Sequence, residues 1–175
     1  MPYHKPSTRA ELRNIGSITT ADTIPLYEPG TTFEVHTAKG TEKESYRYIY
    51  NGEASSSIAA KDTVVSKTTA TTAAGVSHGV YNRGVGILST GVLPRQRVLG
   101  CAYYTIAAGS YGFVKYRGTQ TITAGGAISA GASIVSSSSG DVETIGSNDG
   151  AAAIGICTVA AGGAGDVTVL LDIPD

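Results

Sequence analysis

Residues 109–145 read GSYGFVKYRGTQTITAGGAISAGASIVSSSSGDVETI. Aromatic residues open the stretch, and Gly, Ala, Ser and Thr make up most of its remainder. A flexible linker of that composition lacks periodicity and large apolar side chains. Here β-branched residues keep returning, at Ile122, Ile128, Ile134, Val135, Val142 and Ile145. Gly125-Gly126, Ala130-Gly131 and Gly140-Asp141 fall between them as turn signals. The stretch therefore reads as short strands, TQTIT, ASIVSS and DVETI, whose small side chains let neighbouring backbones pass closely.

The rest of the chain agrees with a β reading. Its 175 residues suit one domain, or one domain with an appended arm. Only 15% of residues are charged and 23 are Gly, with no Trp and one Met, which suits a β-rich protein with tight turns. A formal net charge of −1, from 13 Lys and Arg against 14 Asp and Glu, supplies no field for nucleic acid or an anionic membrane. No apolar run approaches the roughly 18 residues of a spanning helix. The polar opening MPYHKPSTRAELRN does not read as a signal peptide, so a soluble protein made in the cytoplasm without export is expected.

Residues 1–22 read as an arm and 23–175 as a β-rich body. Within the arm, STRAELRNIG (7–16) predicts a short helix, because Thr8 and Glu11 have capping-box spacing and Gly16 can end the turn. In the body, TTFEVHTA (31–38) alternates Phe33 and Val35 with Glu34 and His36. SYRYIYNGE (45–53) sets Tyr46, Tyr48 and Tyr50 on one face and Arg47 and Ile49 on the other. Asn51-Gly52 predicts a type I′ hairpin turn after it. GVYNRG, GVGILSTG and RQRVLGCAYYTIAAG come next as short apolar runs bounded by Gly or Pro, with no helix-length segment between them. Cys101 and Cys157 sit in apolar stretches and are expected to be buried free thiols.

LGCAYYTIAAGSYGFVKY (99–116) and IGICTVAAGGAGDVTVLL (154–171) share a plan: a strand with a cysteine, then Ile/Val-Ala-Ala-Gly, a small-residue turn and a second strand. Both predict hairpins with loops of about three to five residues.

Five elements carry a wider likeness: Tyr111-Gly112-Phe113-Val114; Ala130-Gly131-Ala132-Ser133-Ile134-Val135; Gly140-Asp141-Val142; Ala153-Ile154-Gly155-Ile156; and Asp166-Val167-Thr168-Val169-Leu170-Leu171. Over about residues 97–172 the chain resembles small tailed-phage capsid decoration (cement) and head structural proteins. That resemblance implies a virion surface protein, often trimeric, that clamps major capsid protein subunits and carries no catalytic residues.

A search for chemistry finds little. His4 lies between prolines in the arm, His36 shares a strand face with Glu34, and Ser77 beside His78 is adjacency rather than a triad. Gly84-Val85-Gly86 followed by Gly91 lacks the helix a phosphate loop needs and reads as a strand turn. Glu42 and Glu44 alternate with Lys39 and Lys43 in what reads as an exposed loop tip. Asp141, Asp149 and Asp166 sit beside Gly as turn formers.

The expectation is an all-β protein: a single antiparallel β-barrel or β-sandwich with an extended N-terminal arm and one short helix. No enzymatic activity, cofactor, metal, nucleic acid or membrane partner is expected. The leading reading is a capsid decoration protein on a phage head, a homo-oligomer (trimer) binding the major capsid protein. Tyr3, His4, Lys5, Arg9 and Arg13 of the arm and Tyr46, Tyr48 and Tyr50 of the body are the candidate partner contacts. The alternative is a tail-fibre or adhesin-like receptor- or carbohydrate-binding β module, with Tyr103-Tyr104 or Tyr111 as an aromatic platform.

Overall fold

The computed structural model describes residues 21–36, 43–69, 80–146 and 152–174. Their strands are β1 (Thr32–His36), β2 (Lys43–Asn51), β3 (Thr63–Thr69), β4 (Val80–Leu88), β5 (Val98–Ala102), β6 (Tyr111–Ala124), β7 (Ser133–Ser136), β8 (Val142–Thr144), β9 (Gly155–Val159) and β10 (Gly165–Asp172). Among the described residues a 3-10 turn, Arg95–Arg97, interrupts them. The fold is all-β, as the alternation and the turn residues predict.

The ten strands form one sheet whose pairings close on themselves twice. β2, β4, β3, β5 and β6 make one ring, and β6, β10, β9, β7 and β8 make another. The 14-residue β6 belongs to both. Each ring is antiparallel except at one short parallel contact, Tyr50↔Val85 and Asn51↔Gly86 in the first and Ala124↔Val142 in the second. The pairings thus link the strands of each module in a closed circuit within one large sheet.

The modules repeat one another pair by pair. Val64↔Leu88 and Val65↔Ile87 answer to Ile134↔Thr144 and Val135↔Glu143. Thr63↔Cys101 and Val64↔Gly100 answer to Ser133↔Ile156 and Ile134↔Gly155. Tyr46↔Lys115 and Tyr48↔Phe113 answer to Thr119↔Leu170 and Thr121↔Thr168. Even the isolated bridge Ile58↔Ile106 has its counterpart in Ile128↔Ala161. The turn before β3 holds Lys61 at φ 77 where the turn before β7 holds Gly131 at φ 82. The paired echo at 99–116 and 154–171 is the last hairpin of each module.

Burial follows this plan. Every even-numbered residue of β6 from Gly112 to Ala124 is buried, so one face of a single strand lines both interiors. Ile49, Val64, Leu99 and Val114 fill the first, while Ile122, Ile134, Ile154, Val167, Val169 and Leu171 fill the second. Val65, Val98 and Cys101 of the first module pack with the second core, and this contact joins the modules. Both cysteines are free and buried, as expected.

Four expectations need correction. Asn51-Gly52 does not turn a hairpin: β2 pairs with β1, β4 and β6, never with β3. The Asn51 amide donates to the carbonyls of Ser56 and Ile106, and a Cβ at Gly52 would lie 2.5 Å from Val85 Cγ1. Close packing, not positive φ, selects that dipeptide. TQTIT is not a separate strand but the second half of β6, which passes Gly118 at φ 104 without breaking. Gly84-Val85-Gly86 lies inside β4 and makes no turn. The β5–β6 connection spans residues 103–110, longer than expected, whereas β9–β10 turns over 160–164. The predicted arm helix lies outside the described residues.

Candidate binding surface

The tyrosines of β2 do share a face, and the chain itself covers it. Tyr48 stands opposite Phe113 on β6. The Tyr27 ring closes over both, with centroids 5.3 Å from Tyr48, 6.0 Å from Phe113 and 4.8 Å from Phe33. The Tyr48 hydroxyl donates to Asp22 Oδ2 at 2.9 Å and accepts from the Leu26 amide at 3.1 Å. Asp22 in turn exchanges backbone hydrogen bonds with Tyr111, each 2.8 Å. Residues 22–31 therefore form a strap across the outer face of β2 and β6, continuing into β1. Desolvation raises the Asp22 carboxyl pKa, against the hydrogen bond from Tyr48. Burial also raises the Tyr48 phenol.

Tyr46 closes the far end of this face. Its hydroxyl donates to Glu44 Oε2 at 2.7 Å, and Lys115 Nζ reaches Glu44 Oε1 at 2.9 Å and the Thr119 carbonyl at 3.0 Å. The Lys115 ammonium also lies 5.3 Å and 5.4 Å from the Tyr46 and Tyr103 ring centroids. Burial pushes the Glu44 carboxyl up, but the hydrogen bonds from Tyr46 and Lys115 and the Lys115 charge carry it below its ordinary value.

These contacts correct the choice of Tyr46 and Tyr48 as partner-binding residues. Both are wholly inside the chain's own aromatic core, and only Tyr50 stays half-buried, against Tyr111. Tyr104 is also buried, with its hydroxyl accepting from the Phe113 amide, while Tyr103 and Tyr111 pack into the same cluster. Tyr3, His4, Lys5, Arg9 and Arg13 lie outside the described residues, as do His78 and Ser77. Residues 75–79 spell Gly-x-Ser-x-Gly. That spacing presents a nucleophile when it joins a strand to a helix, and here the segment falls between the antiparallel pair β3 and β4. No group of three or more His, Cys, Asp and Glu capable of holding a metal occurs among the described residues.

Among the described residues, the second module presents the same face without a strap. Thr119 and Thr121 of β6 and Thr168 and Leu170 of β10 stand where the first module has Tyr46, Tyr48, Phe113 and Lys115. Lys115 is 4% exposed and Leu170 is 49% exposed. Ile156, opposite Leu170 on β9, is equally bare, and Val159 beyond it is exposed as well. Half of the large apolar residues exposed among the described ones thus gather on one hairpin, a pattern that marks interaction surfaces. At its end a shallow cleft of about 320 Å³ lies between Lys43, Arg117, Gly118, Thr119 and Leu170. Sequence reasoning missed this surface because Thr-Ile-Thr and Thr-Val-Leu-Leu alternate like any half-buried strand.

No family model matches the chain, and no curated protein matches it. Among solved structures it is similar to the head fiber gp8.5 N base of bacteriophage phi29, at 13% identity and a TM-score of 0.48, over 74% of this chain and 97% of that one. A likeness that loose carries no function.

Proposed function

We propose that this chain is a non-catalytic structural protein of a phage head, a decoration protein that binds the major capsid protein at the virion surface. One observation carries the reading. Four of the five sequence elements that resemble decoration and head proteins fall on strands of the second module alone: Ala130–Val135 turns into β7, Gly140–Val142 enters β8, Ala153–Ile156 enters β9 and Asp166–Leu171 is β10, while Tyr111–Val114 opens the shared β6 within the first module. The resemblance therefore concentrates on one structural unit and the strand that leads into it, rather than on scattered small residues. That unit offers a β face with exposed apolar side chains and a shallow cleft, which suits binding by area.

The test is co-sedimentation of the purified chain with capsids that lack it. Saturable binding at a fixed ratio to capsid subunits supports the reading. Failure to bind capsids, with binding to cells or glycans instead, would move the protein to a receptor-binding class.

A further inference from the structure

The two modules are built on one register, so the cover on one shows what the other lacks. In the first module, an extended segment lies across the outer face of β2 and β6. It lays down Tyr27 and, continuing into β1, Phe33 as apolar contacts and sets the Asp22 carboxylate on a hydroxyl of the face. The outer side of β3 and β5 is covered too, since Val65, Val98 and Cys101 pack into the second core. In the second module the matching positions, Thr121, Thr168, Leu170 and Ile156, carry no such cover from any described residue, and Leu170 and Ile156 are each 49% exposed. Covering the remaining exposed part of such apolar side chains favours any chain that lies on them.

We propose that the outer face of β6, β10 and β9 is the seat for an extended segment of the partner protein, carrying apolar side chains and, beyond them, a carboxylate. The apolar side chains meet Leu170, Ile156 and Val159, and the Thr119, Thr121 and Thr168 hydroxyls are available to its backbone. The carboxylate enters the cleft beside Leu170, where Lys43 stands with Arg117, which itself lies 3.3 Å from Asp172. Lys43 holds its own acid, Glu34, only at 3.9 Å and is 61% exposed. Among the described residues of β10, a second copy meeting the face with its own brings only carboxylates that already have cations. Asp166 already holds Lys61, and Asp172 is shared by Arg95 and Arg117.

This assignment rests on the capsid-binding reading, and one experiment separates the two. Leu170→Glu and Ile156→Glu, both at exposed positions, are compared with wild type and with Val92→Glu, an exposed apolar control elsewhere, by co-sedimentation of the full chain with capsids that lack it. Circular dichroism and thermal unfolding check that each variant is folded. Wild type and Val92→Glu are expected to bind alike, and Leu170→Glu and Ile156→Glu to weaken binding at least tenfold. Lys43→Glu is expected to weaken it further as salt is lowered, because a repulsive pair is then less screened. Equal binding by all variants overturns the seat and leaves the capsid reading standing. No binding by wild type overturns both. Light scattering that shows a wild-type oligomer split into monomers by Leu170→Glu assigns the face to a second copy and overturns the proposal.

Discussion

Gly100 and Gly155 occupy one position in two modules: a Cβ at Gly100 would lie 2.6 Å from the Lys115 carbonyl oxygen, and a Cβ at Gly155 would lie 2.6 Å from that of Leu170. Lys115 and Leu170 are themselves counterparts on the last strand of each ring. At both places β6 or β10 crosses the strand before it with no room for a side chain, which lets a five-strand ring close.

Gly100→Ala and Gly155→Ala are therefore each expected to destabilise the protein, by roughly 1–3 kcal/mol for the forced backbone shift. Gly100→Ala is expected to be the worse of the two, since Gly100 also sits at φ 148 while Gly155 has no positive φ. Chemical denaturation of the two variants reads the difference. Equal, negligible losses would mean that the crossings relax freely.

The strands of this fold were legible in the sequence, and the repeat was only half so. Period-two alternation marks β2 and β10 without help, and the Gly-rich stretch declares its strands through Ile and Val. The echo between 99–116 and 154–171 survives because both copies need a small residue at Gly100 and Gly155 and a tight return. The other three strands hide their kinship, for what they share is backbone register. Tyr48 and Thr121, or Lys61 and Gly131, are equivalent in place yet unrelated in chemistry. The tyrosine face was legible as a face but not as a covered one, because alternation says which side chains point together and not what lies on them. The same ignorance concealed the bare face of the second module.

One hydroxyl ties the strap to the face at two points. Tyr48→Phe keeps the ring packing against Tyr27 and Phe113 but removes the acceptor for the Leu26 amide and the donor to Asp22. The expected loss is about 1–2 kcal/mol, concentrated in the strap. Hydrogen exchange measures it residue by residue. The Leu26 amide should exchange faster in the variant, while the Leu170 amide, on the far module, should keep its protection. Unchanged exchange at Leu26 would show that aromatic packing and the backbone bonds of Asp22, Gly30 and Thr31 hold the strap without it.

The cysteines should be silent in the native protein. Cys101 is fully buried, and burial pushes its thiol up to about 12, only partly opposed by its contact with Thr63. Cys157 is buried with its Sγ directed to the Val159 carbonyl. Thiolate is the reactive form, so a disulfide reagent at neutral pH should label neither residue until the chain unfolds. Labelling that appears together at both sites with rising denaturant would report one cooperative unit. Early labelling of Cys157 alone would show that the second module opens first.

Lys115 and Glu44 should behave asymmetrically on mutation. Lys115 is nearly inaccessible, whereas the Glu44 side chain keeps 22% of its exposure. Glu44→Ala leaves a buried ammonium with the Thr119 carbonyl and two tyrosine rings, at an expected cost on the order of 2–4 kcal/mol, reduced from a fully buried pair by that exposure. Lys115→Met removes the charge and keeps the stem, so its loss should be smaller. The pH dependence separates the pair from the rest of the protein. Glu44 lies below its ordinary value of 4.5 in the folded state, so its stabilisation is present above that pH and fades as pH falls through the folded value. Asp22 and Asp62 are raised above 3.8 and act in the opposite sense, favouring the folded state as acid protonates them. The net acid profile of wild type mixes both trends, but the difference between wild type and Lys115→Met cancels the aspartates. That difference should be largest above about pH 5 and shrink toward pH 3 in urea titrations. A difference independent of pH would mean that Lys115 stabilises the fold through its stem and rings alone.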